Sequence, residues 1–387
     1  MRKGRQFPTS KISGDSKPVV LMYTTMYPPF TGAAPLYFST LAKMLKDKVD
    51  FIVLTQQFPG EPTIDRSDPN IWVYRTQPHL QNAPWPVRYA IIPPLTMLML
   101  FYFWRKYKPV AFHIHSTSIF GFIVSLFSSI FKIDLIKEVQ DLGDPPFNLL
   151  EGHMKKYVAT GKTIEKRLTS LGVPKNKILT YYPINPPGRE IFVNKAKKAA
   201  KKYQQEKGDR IDILFIGWLS VRIKGVDILL EAFKQAQRKL GDKVHLTMIG
   251  GGPDQEFCEN FIKKNKLKNV KLLGRVDDET LYTTLAKSDM FVMSSRTEAN
   301  PRVILESFLF HKPVIAPKVG GIPELIKNGK NGTLVKPENP DALARAIIEL
   351  ANDRKLRETY GNEGHKFLEG MPTWEQLADD IYNLYIE

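Results

Sequence analysis

Residues 290–316 read MFVMSSRTEANPRVILESFLFHKPVIA, and this stretch decides the fold. Two short apolar runs, 290–293 and 313–316, predict buried strands, and the segment 301–310 between them has apolar residues at helical spacing. A strand, a helix and a second strand in this order form a βαβ unit, in which the two strands are parallel. The stretch therefore predicts a parallel sheet with helices packed on it.

The same alternation extends in both directions along the chain. Further strands are predicted at 18–25, 50–55, 71–75, 110–113, 135–139, 213–216, 244–249, 270–273 and 333–335. Further helices are predicted at 36–45, 119–131, 226–240, 255–264, 279–287, 322–326, 341–351 and 374–385. We therefore expect an α/β protein of two Rossmann-like, doubly wound domains. Ligands bind at the carboxyl ends of the strands in such domains, so we expect the active site in a cleft between the two.

The 387 residues divide into four predicted segments. Residues 1–18 are basic and polar, lack the apolar segment of a secretory signal peptide, and predict a disordered tail. Residues 19–187 predict the first domain. After a proline-rich linker, residues 188–370 predict the second domain, and residues 371–387 a closing helix.

Cysteine and acidic patterns argue against metal and disulfide chemistry. Cys258 is the single cysteine, which excludes an intramolecular disulfide and a cysteine-based zinc site. No Asp-x-Asp triplet occurs, so we expect no metal-bound diphosphate and no cofactor. His113 and His115 lie two residues apart at a strand end, but no third ligand is evident nearby, and a role in the core or at the cleft edge is favoured.

The net charge of +16 is concentrated in the first half, where residues 1–187 carry 23 lysines and arginines against 12 acids. Basic surfaces attract polyanions, but no nucleic-acid recognition motif is present, and we expect no nucleic-acid partner. The apolar run 89–104 is shorter than a membrane span and is followed by Arg105 and Lys106. The part that follows Pro93 and Pro94, residues 95–104, predicts either a buried helix with a basic end or a helix lying on a membrane. We expect a cytoplasmic protein, with peripheral contact to the cytoplasmic face of a membrane through the first domain as the sharper hypothesis.

The loop and helix within 294–307 combine an anion site with two carboxylates. Asn300 is a good N-cap residue and Pro301 a good first helical residue. The free N–H groups of about 299–303 then favour an anion such as a diphosphate. Glu298 and Glu306 cannot contact a phosphate favourably, so we expect them to accept hydrogen bonds from a sugar and a ribose. Two solvent-exposed acids paired with lysines are the alternative.

Two further segments contribute candidate residues. Lys224 follows the strand 213–216 and is our first candidate for neutralising a departing diphosphate, with Arg222 the second. Gly32, in the loop after the first strand, lets the backbone approach a ligand closely, although a simple turn also explains it.

Taken together, these motifs resemble family 4 of the glycosyltransferases, a group of retaining enzymes with the GT-B fold. The matching motifs are YPPFTGAAP (27–35), HIHS (113–116), GWLSVRIKG (217–225), IGGGP (249–253), LLGRV (272–276), TEANPRVILES (297–307), PVIAPKVGGIPELI (313–326) and NGTLVKP (331–337). Each is weak alone, but they occur in the order of the family. The resemblance covers the chain beyond the tail and implies that the closing helix crosses back to the first domain.

The resemblance implies a role for each candidate. Glu298 would approach the transferred sugar, Glu306 would bind the ribose, Lys224 would contact the diphosphate, and Gly32 would belong to a loop closing over the donor.

Further donor contacts are also implied. Arg275 and Val276 match the strand end whose backbone contacts the base, and Ala299 and Asn300 match the loop whose amides hold the sugar and phosphate.

Three positions depart from the family pattern. Trp218 stands where the family often has arginine, and Arg222 is the residue that would substitute for it. Ala33 replaces a glycine, and Gln140 replaces a histidine that normally contacts the donor sugar.

We therefore expect a retaining, hexosyl-transferring enzyme that moves a sugar from a nucleoside-diphosphate sugar to a sugar, polysaccharide or lipid-linked acceptor. Uridine and guanosine donors both fit. Two alternatives stay open: a phosphorylase or epimerase of the same fold, and a membrane-peripheral nucleotide-sugar-binding protein with a decayed site.

Overall fold

The computed structural model describes residues 17–29, 33–57, 60–77, 85–115, 119–140, 153–182 and 190–387. Residues 1–16 of the predicted tail and Gly32 lie outside these residues. The described chain forms two compact units. The first contains the described residues up to Thr160, Ile164–Tyr181 and Thr373–Glu387, and the second contains Gly161–Thr163 and Tyr182–Pro372.

The first unit is built on a sheet that has eight strands within the described residues, in the order β3-β4-β2-β1-β5-β6-β7-β8. The strands are β1 (Val19–Thr24), β2 (Asp50–Gln56), β3 (Ile64–Asp68), β4 (Ile71–Gln77), β5 (Ala111–His115), β6 (Asp134–Val139), β7 (Met154–Thr160) and β8 (Ile178–Tyr181). The helices that follow them are α1 (Ala33–Leu45), α2 (Trp85–Tyr107), α3 (Ile119–Phe131) and α4 (Lys162–Ser170). Among the described strands of this sheet only the edge strand β3 is antiparallel, and all six residues of β1 are buried, as expected for a strand covered on both faces.

The second unit is built on a parallel sheet in the order β11-β10-β9-β12-β13-β14. Its strands are β9 (Ile211–Ile216), β10 (Val244–Ile249), β11 (Val270–Gly274), β12 (Met290–Val292), β13 (Val314–Pro317) and β14 (Gly332–Val335). Its helices are α5 (Glu190–Glu206), α6 (Val221–Lys224), α7 (Val226–Leu240), α8 (Gln255–Lys264), α9 (Asp278–Lys287), α10 (Arg302–Leu309), α11 (Ile322–Leu325), α12 (Pro340–Asn352) and α13 (Arg354–Glu369). One core lies under α7 and α12, and the other lies under α9 and α10 on the opposite face.

The last helix, α14 (Trp374–Ile386), belongs to the first unit. It begins with a capping box, in which Thr373 and Gln376 satisfy each other's backbone N–H groups. Tyr385 near its end is buried and shares a hydrogen bond of 2.6 Å with Nδ1 of His113, on β5. That bond joins the last turn of α14 to the centre of the first sheet.

The prediction of two α/β domains on parallel sheets is confirmed, and several helix bounds agree with it, among them α7 and α8. The prediction that a helix starts after Pro93 and Pro94 is wrong, since α2 runs through both. Each proline removes one backbone hydrogen bond. The buried face of α2, which includes Leu100 and Phe103, keeps the remaining turns packed on the unit.

Candidate active site in the second unit

The strand order of the second sheet brings two loops together. β9 pairs with β10 on one side and with β12 on the other, so the direction of the strand order reverses between β9 and β12. Ligands of doubly wound sheets bind outside the carboxyl ends of the strands at such a reversal. The loop after β9 leads to Lys224, and the loop after β12 leads to Glu298.

Local backbone geometry positions Lys224. Ser220 caps α6, because its Oγ accepts a hydrogen bond of 3.2 Å from the N–H of Ile223. Gly225 then takes a left-handed conformation (φ 60°), which lets the chain turn directly into α7. A Cβ at Gly225 would lie 2.2 Å from the carbonyl oxygen of Ser294, so only glycine fits between the two loops.

Lys224 and Glu298 form an ion pair between Nζ and Oε1. Ser295 Oγ donates to the same Oε1 at 2.8 Å, and Ser294 Oγ donates to the carbonyl oxygen of Lys224 at 2.8 Å. Oε2 of Glu298 makes no hydrogen bond to another residue in the described parts of the chain. The Glu298 side chain is 9% exposed and that of Lys224 is 24% exposed, so the carboxylate is held while the ammonium still reaches solvent.

Arg222 does not share this arrangement. It is exposed and lies two residues before Lys224 on the same turn. Helix residues two apart do not face each other, so Arg222 and Lys224 point to different sides of α6.

Arg296 ties the two loops together, and the sequence analysis did not single it out. Its backbone N–H donates to the carbonyl oxygen of Ile223 at 2.9 Å. Its guanidinium makes hydrogen bonds of 2.8 Å to both carboxylate oxygens of Asp227, at the start of α7, and one of 2.9 Å to Glu338. No local pattern signals this contact, since its partners lie far apart in the sequence.

Helix α10 begins one residue later than predicted, at Arg302 and not at Pro301. Arg302 is its first residue and Pro301 occupies the N-cap without a side-chain cap, so the assignment of Asn300 as N-cap is wrong. Pro301 has no N–H and adopts extended backbone, which moves the helix start by one residue. The first turn of α10 still follows the Glu298 loop directly, and its N–H groups lie beside Ala299 and Asn300 in the chain.

Glu306 is buried one turn into α10. Its Oε1 accepts a hydrogen bond of 2.8 Å from Nη2 of Arg302, and its side chain is 6% exposed. Burial acts to lower the pKa of Arg302, but the charge and hydrogen bond of Glu306 outweigh it and raise that pKa. Oε2 of Glu306 has no hydrogen-bond partner among the described residues, which leaves it available to a hydroxyl group.

Two glycines after β13 hold the Glu298 loop from the other side. Gly321 donates its N–H to the carbonyl oxygen of Glu298 at 3.2 Å. A Cβ at Gly320, whose φ is 50°, would lie 1.6 Å from that same oxygen, and one at Gly321 would lie 1.9 Å from the carbonyl oxygen of Ala299. The motif KVGG therefore lets two backbone segments pack without intervening side chains.

Arg275 and Val276 follow β11 at the same edge of the sheet. Arg275 is exposed and Val276 is partly buried. A Cβ at Gly251 would lie 3.7 Å from Cγ and Nε of Arg275, so the arginine stem crosses the glycines that follow β10. The structure thus collects Lys224, Glu298 and Arg275 at the carboxyl edge of one sheet.

Gln140 lies in the first unit, at the end of β6. Its Nε2 donates to Oε1 of Glu138 at 2.7 Å, and the hydroxyl of Tyr181 donates to the same oxygen. Glu138 is buried, so the side-chain amide of Gln140 is held by a buried carboxylate that also binds Tyr181.

The remaining motif residues have local explanations. His113 is fully buried within the first unit. The carboxylate of Asp277 caps α9 by accepting from the N–H of Thr280 at 2.8 Å. Cys258 lies on the buried face of α8, and burial raises the pKa of its thiol to about 11.

The sequence is similar to those of known glycosyltransferases. Residues 196–367 match the family described as Glycosyl transferases group 1. An uncharacterized glycosyltransferase of Methanocaldococcus jannaschii, MJ1178, is 28% identical over 381 residues, which cover 95% of this chain and 98% of that protein.

The fold is shared with solved structures. Sucrose-phosphate synthase from Thermosynechococcus elongatus superimposes with a TM-score of 0.77 at 18% identity, covering 96% of this chain and 98% of that one. Anabaena HepE in complex with UDP-glucose has a TM-score of 0.69 at 20% identity, covering 94% and 98%. The structures establish a GT-B type of fold, and the sequence matches support the glycosyltransferase class of enzyme.

Proposed function

We propose that this protein is a retaining glycosyltransferase of family 4 that transfers a hexosyl group from a nucleoside-diphosphate sugar. The observation that carries the proposal is the Lys224–Glu298 ion pair at the strand-order reversal of the second sheet. The ammonium group of Lys224 and the start of α10 lie there beside the Glu298 carboxylate, whose Oε2 has no hydrogen-bond partner among the described residues. Charged donors and acceptors of these kinds match a diphosphate and a sugar hydroxyl, respectively.

In the proposed reaction the bond between the anomeric carbon and the diphosphate oxygen breaks, and the electron pair leaves with the diphosphate. The acceptor hydroxyl oxygen bonds to the anomeric carbon on the same face, and its proton passes to the departing phosphate. Lys224 and the N–H groups at the start of α10 stabilise the charge that develops on the leaving group, which is often the largest single catalytic contribution. No metal, cofactor or protein base takes part in this scheme.

The carboxylates orient the donor. Oε2 of Glu298 accepts from a hydroxyl of the transferred sugar, and Oε2 of Glu306 accepts from the ribose. The backbone at Arg275 and Val276 contacts the base. HepE, whose fold is similar, was crystallised with UDP-glucose, which makes UDP-sugars the first donors to test.

A donor panel tests the reaction. The full chain is incubated with UDP- and GDP-hexoses, and the anomeric configuration of any product is read by NMR. A product with the configuration of the donor supports the proposal. Inversion, release of sugar 1-phosphate, or epimerised donor without transfer would each replace it with another reaction, and binding without turnover would identify a decayed site.

Replacing Lys224 with alanine tests the leaving-group role. We expect kcat to fall by about 10²–10³-fold, as on removal of one preorganised donor. Lys264→Ala on α8 is the matched control, since Lys264 is exposed and distant in sequence from both loops. Equal activity of the two variants would refute the role of Lys224.

We further propose that the first unit meets a lipid surface on the cytoplasmic side and that the acceptor is lipid-linked. Among the described residues, α2 exposes Leu98 (68%), Phe101 (47%) and Tyr102 (52%) on successive turns, followed by Arg105 and Lys106. Apolar side chains next to cations suit a helix lying at anionic headgroups. Within the described residues, no helix is long and apolar enough to span a bilayer.

Vesicle binding tests this surface. We expect the full chain to co-sediment with phosphatidylglycerol vesicles, and Leu98→Ser/Phe101→Ser to reduce the bound fraction several-fold. Phe257→Ser is the control, because Phe257 is an exposed aromatic (38%) on α8 in the second unit. If the double variant binds as the control does, α2 is not the membrane contact.

A further inference from the structure

A second cavity lies at the opposite edge of the second sheet from Lys224. It has a volume of about 390 Å³ and lies at the amino ends of three strands. Its lining includes Ile211, the first residue of β9, Ser288 and Asp289 before β12, and Pro313 before β13. β9 is six residues long, so about 20 Å of strand separates this edge from the carboxyl edge. The cavity is therefore distinct from the candidate donor site.

Cationic side chains dominate the lining. Within the described part of the chain six of them contribute to it, against three acidic side chains, Asp209, Asp289 and Glu358. The cations are Lys207, Arg210, Lys243, Lys312, Arg354 and Arg357. They lie after α5, before strands β9, β10 and β13, and in the first turn of α13. The tertiary fold therefore brings them together, because they are not neighbours in the sequence.

Two of the three acids are already engaged. Asp289 forms an ion pair with Lys207 and accepts a hydrogen bond of 2.7 Å from the backbone N–H of Asp212. Glu358 accepts from Arg354 at 2.8 Å. Asp212, next to the cavity, pairs with Arg210 at 2.7 Å. Lys243, Lys312 and Arg357 therefore have no acidic partner among the described residues.

Lys312 is the most buried of the cations that have no acidic partner among the described residues. It is partly buried, and its ammonium group has no hydrogen bond or ion pair with any residue in the described ranges. Burial lowers the pKa of Lys312 to about 8, while Asp289 acts in the opposite direction. Partial burial of a cation that has no protein partner is unfavourable, and an anion in the cavity would supply that partner.

The guanidinium group of Arg357 uses only some of its hydrogen-bond donors within the described residues. Nη1 donates to the carbonyl oxygens of Leu350 and Ala351, where it caps the end of α12. Nε and Nη2 make no hydrogen bond to a described residue. The bonds of Nη1 thus hold the guanidinium in place, while Nε and Nη2 can donate to the oxygens of an anion. Two donors on one planar group suit a phosphate.

We propose that this cavity is a second anion site, which binds the phosphate group of a small phosphorylated molecule through Lys312 and Arg357. Its volume falls within the range of small-molecule sites, about 300–1,000 Å³. The shared chemistry is a multiply charged phosphate, carried by a soluble phosphate ester or by a lipid headgroup. The site does not depend on the proposed transferase activity.

Calorimetric titration with inorganic pyrophosphate tests the proposal. All chains carry Lys224→Ala, which removes the ammonium of the donor site and so weakens pyrophosphate binding there. We expect one pyrophosphate to bind per chain, and Lys312→Gln to weaken binding at least tenfold. Lys264→Gln, an exposed lysine outside the cavity lining, should leave binding unchanged.

A second variant and a second probe keep the outcome decisive. Arg354→Gln changes an exposed side chain (84%) at the rim and should weaken binding several-fold without affecting the fold. If pyrophosphate does not bind but phosphatidic acid vesicles bind in a Lys312-dependent manner, the phosphate belongs to a lipid headgroup and the site stands. If neither probe distinguishes Lys312→Gln from Lys264→Gln, the proposal is overturned.

Discussion

The guanidinium of Arg296 makes two parallel hydrogen bonds of 2.8 Å to the carboxylate of Asp227, 69 residues earlier in the chain. Burial alone would raise the pKa of Asp227, but hydrogen bonds and charge from Arg296 lower it below its ordinary value. The pair connects the loop that carries Glu298 to the start of α7, directly after Lys224. It therefore fixes the distance between the two residues proposed to contact the donor.

Replacing Arg296 with lysine should reduce kcat without removing any group that contacts substrate. Lysine keeps the charge but cannot make the two parallel bonds, and a displacement of about 1 Å at a reacting group costs up to about 10²-fold. We expect a 10- to 100-fold loss in kcat with donor KM changed less. Arg238→Lys, an exposed position on α7, is the control, and parallel behaviour of the two variants would exclude a positioning role.

Glu306→Gln should weaken donor binding more than it slows the chemical step. The carboxylate is proposed to accept from the ribose, which keeps its contacts throughout the reaction. Loss of a charged acceptor costs about 1.5–3 kcal/mol, or a rise in donor KM of about 10- to 100-fold. Initial-rate kinetics with varied donor measure it. A thermal melt of the same protein is needed, because the change also removes the charge partner of Arg302; a normal KM in a folded variant would contradict the ribose assignment.

Gly320→Ala should displace the Glu298 loop. The new methyl group would lie 1.6 Å from the carbonyl oxygen of Glu298, and the backbone at Gly320 has a φ of 50°. Gly329→Ala separates these two effects, because Gly329 also has a positive φ (75°) but no atom within 4 Å of the added Cβ. We expect about 1 kcal/mol of destabilisation at Gly329 and more than about 2 kcal/mol at Gly320.

Thermal denaturation and donor kinetics measure the two glycine variants together. Loss of activity at Gly320→Ala alone would locate the effect in the Glu298 loop. Similar melting temperatures and activities for both variants would mean that the loop adjusts freely, and that KVGG has no part in shaping the site.

Local periodicity was sufficient to predict most of the strands and helices, because apolar spacing directly encodes which face of an element is buried. Lys224 and Glu298 were predicted separately, each as a residue near a strand end, and the order of the second sheet makes them neighbours. The strand order is set by the packing of whole helices and strands, so no local sequence pattern predicts it.

The contacts that sequence analysis missed have the same origin. Arg296 meets Asp227 only because β9 and β12 are adjacent. The wrong start of the helix at Pro93 and Pro94 has a different cause, since proline disfavours a helix interior locally and tertiary packing of α2 overrides it. The N-cap error at Asn300 is one residue, within the usual uncertainty of helix ends.

Acidification should destabilise the first unit through His113. Burial, and to a lesser extent the charge of His115, lowers the pKa of His113 to about 3, against about 6.5 in an unfolded chain. Between these values the unfolded state binds one more proton than the folded state, so stability decreases as the pH falls. The slope is about 1.4 kcal/mol per pH unit, which amounts to about 2 kcal/mol between pH 7 and pH 5.

Urea unfolding at several pH values, followed by tryptophan fluorescence, measures this effect, since Trp72, Trp104 and Trp374 lie in the first unit. His113→Gln removes the titrating group while retaining an acceptor for Tyr385. The variant should lose stability at pH 8, where only packing and the hydrogen bond differ. The free energy of unfolding of the variant should then fall less steeply toward pH 5 than that of the wild type. The two slopes should differ by about 1.4 kcal/mol per pH unit, the contribution of one proton. If both proteins lose stability with the same slope, His113 is protonated as easily in the folded protein as in the unfolded chain, and its burial against α14 does not control the acid sensitivity of this unit.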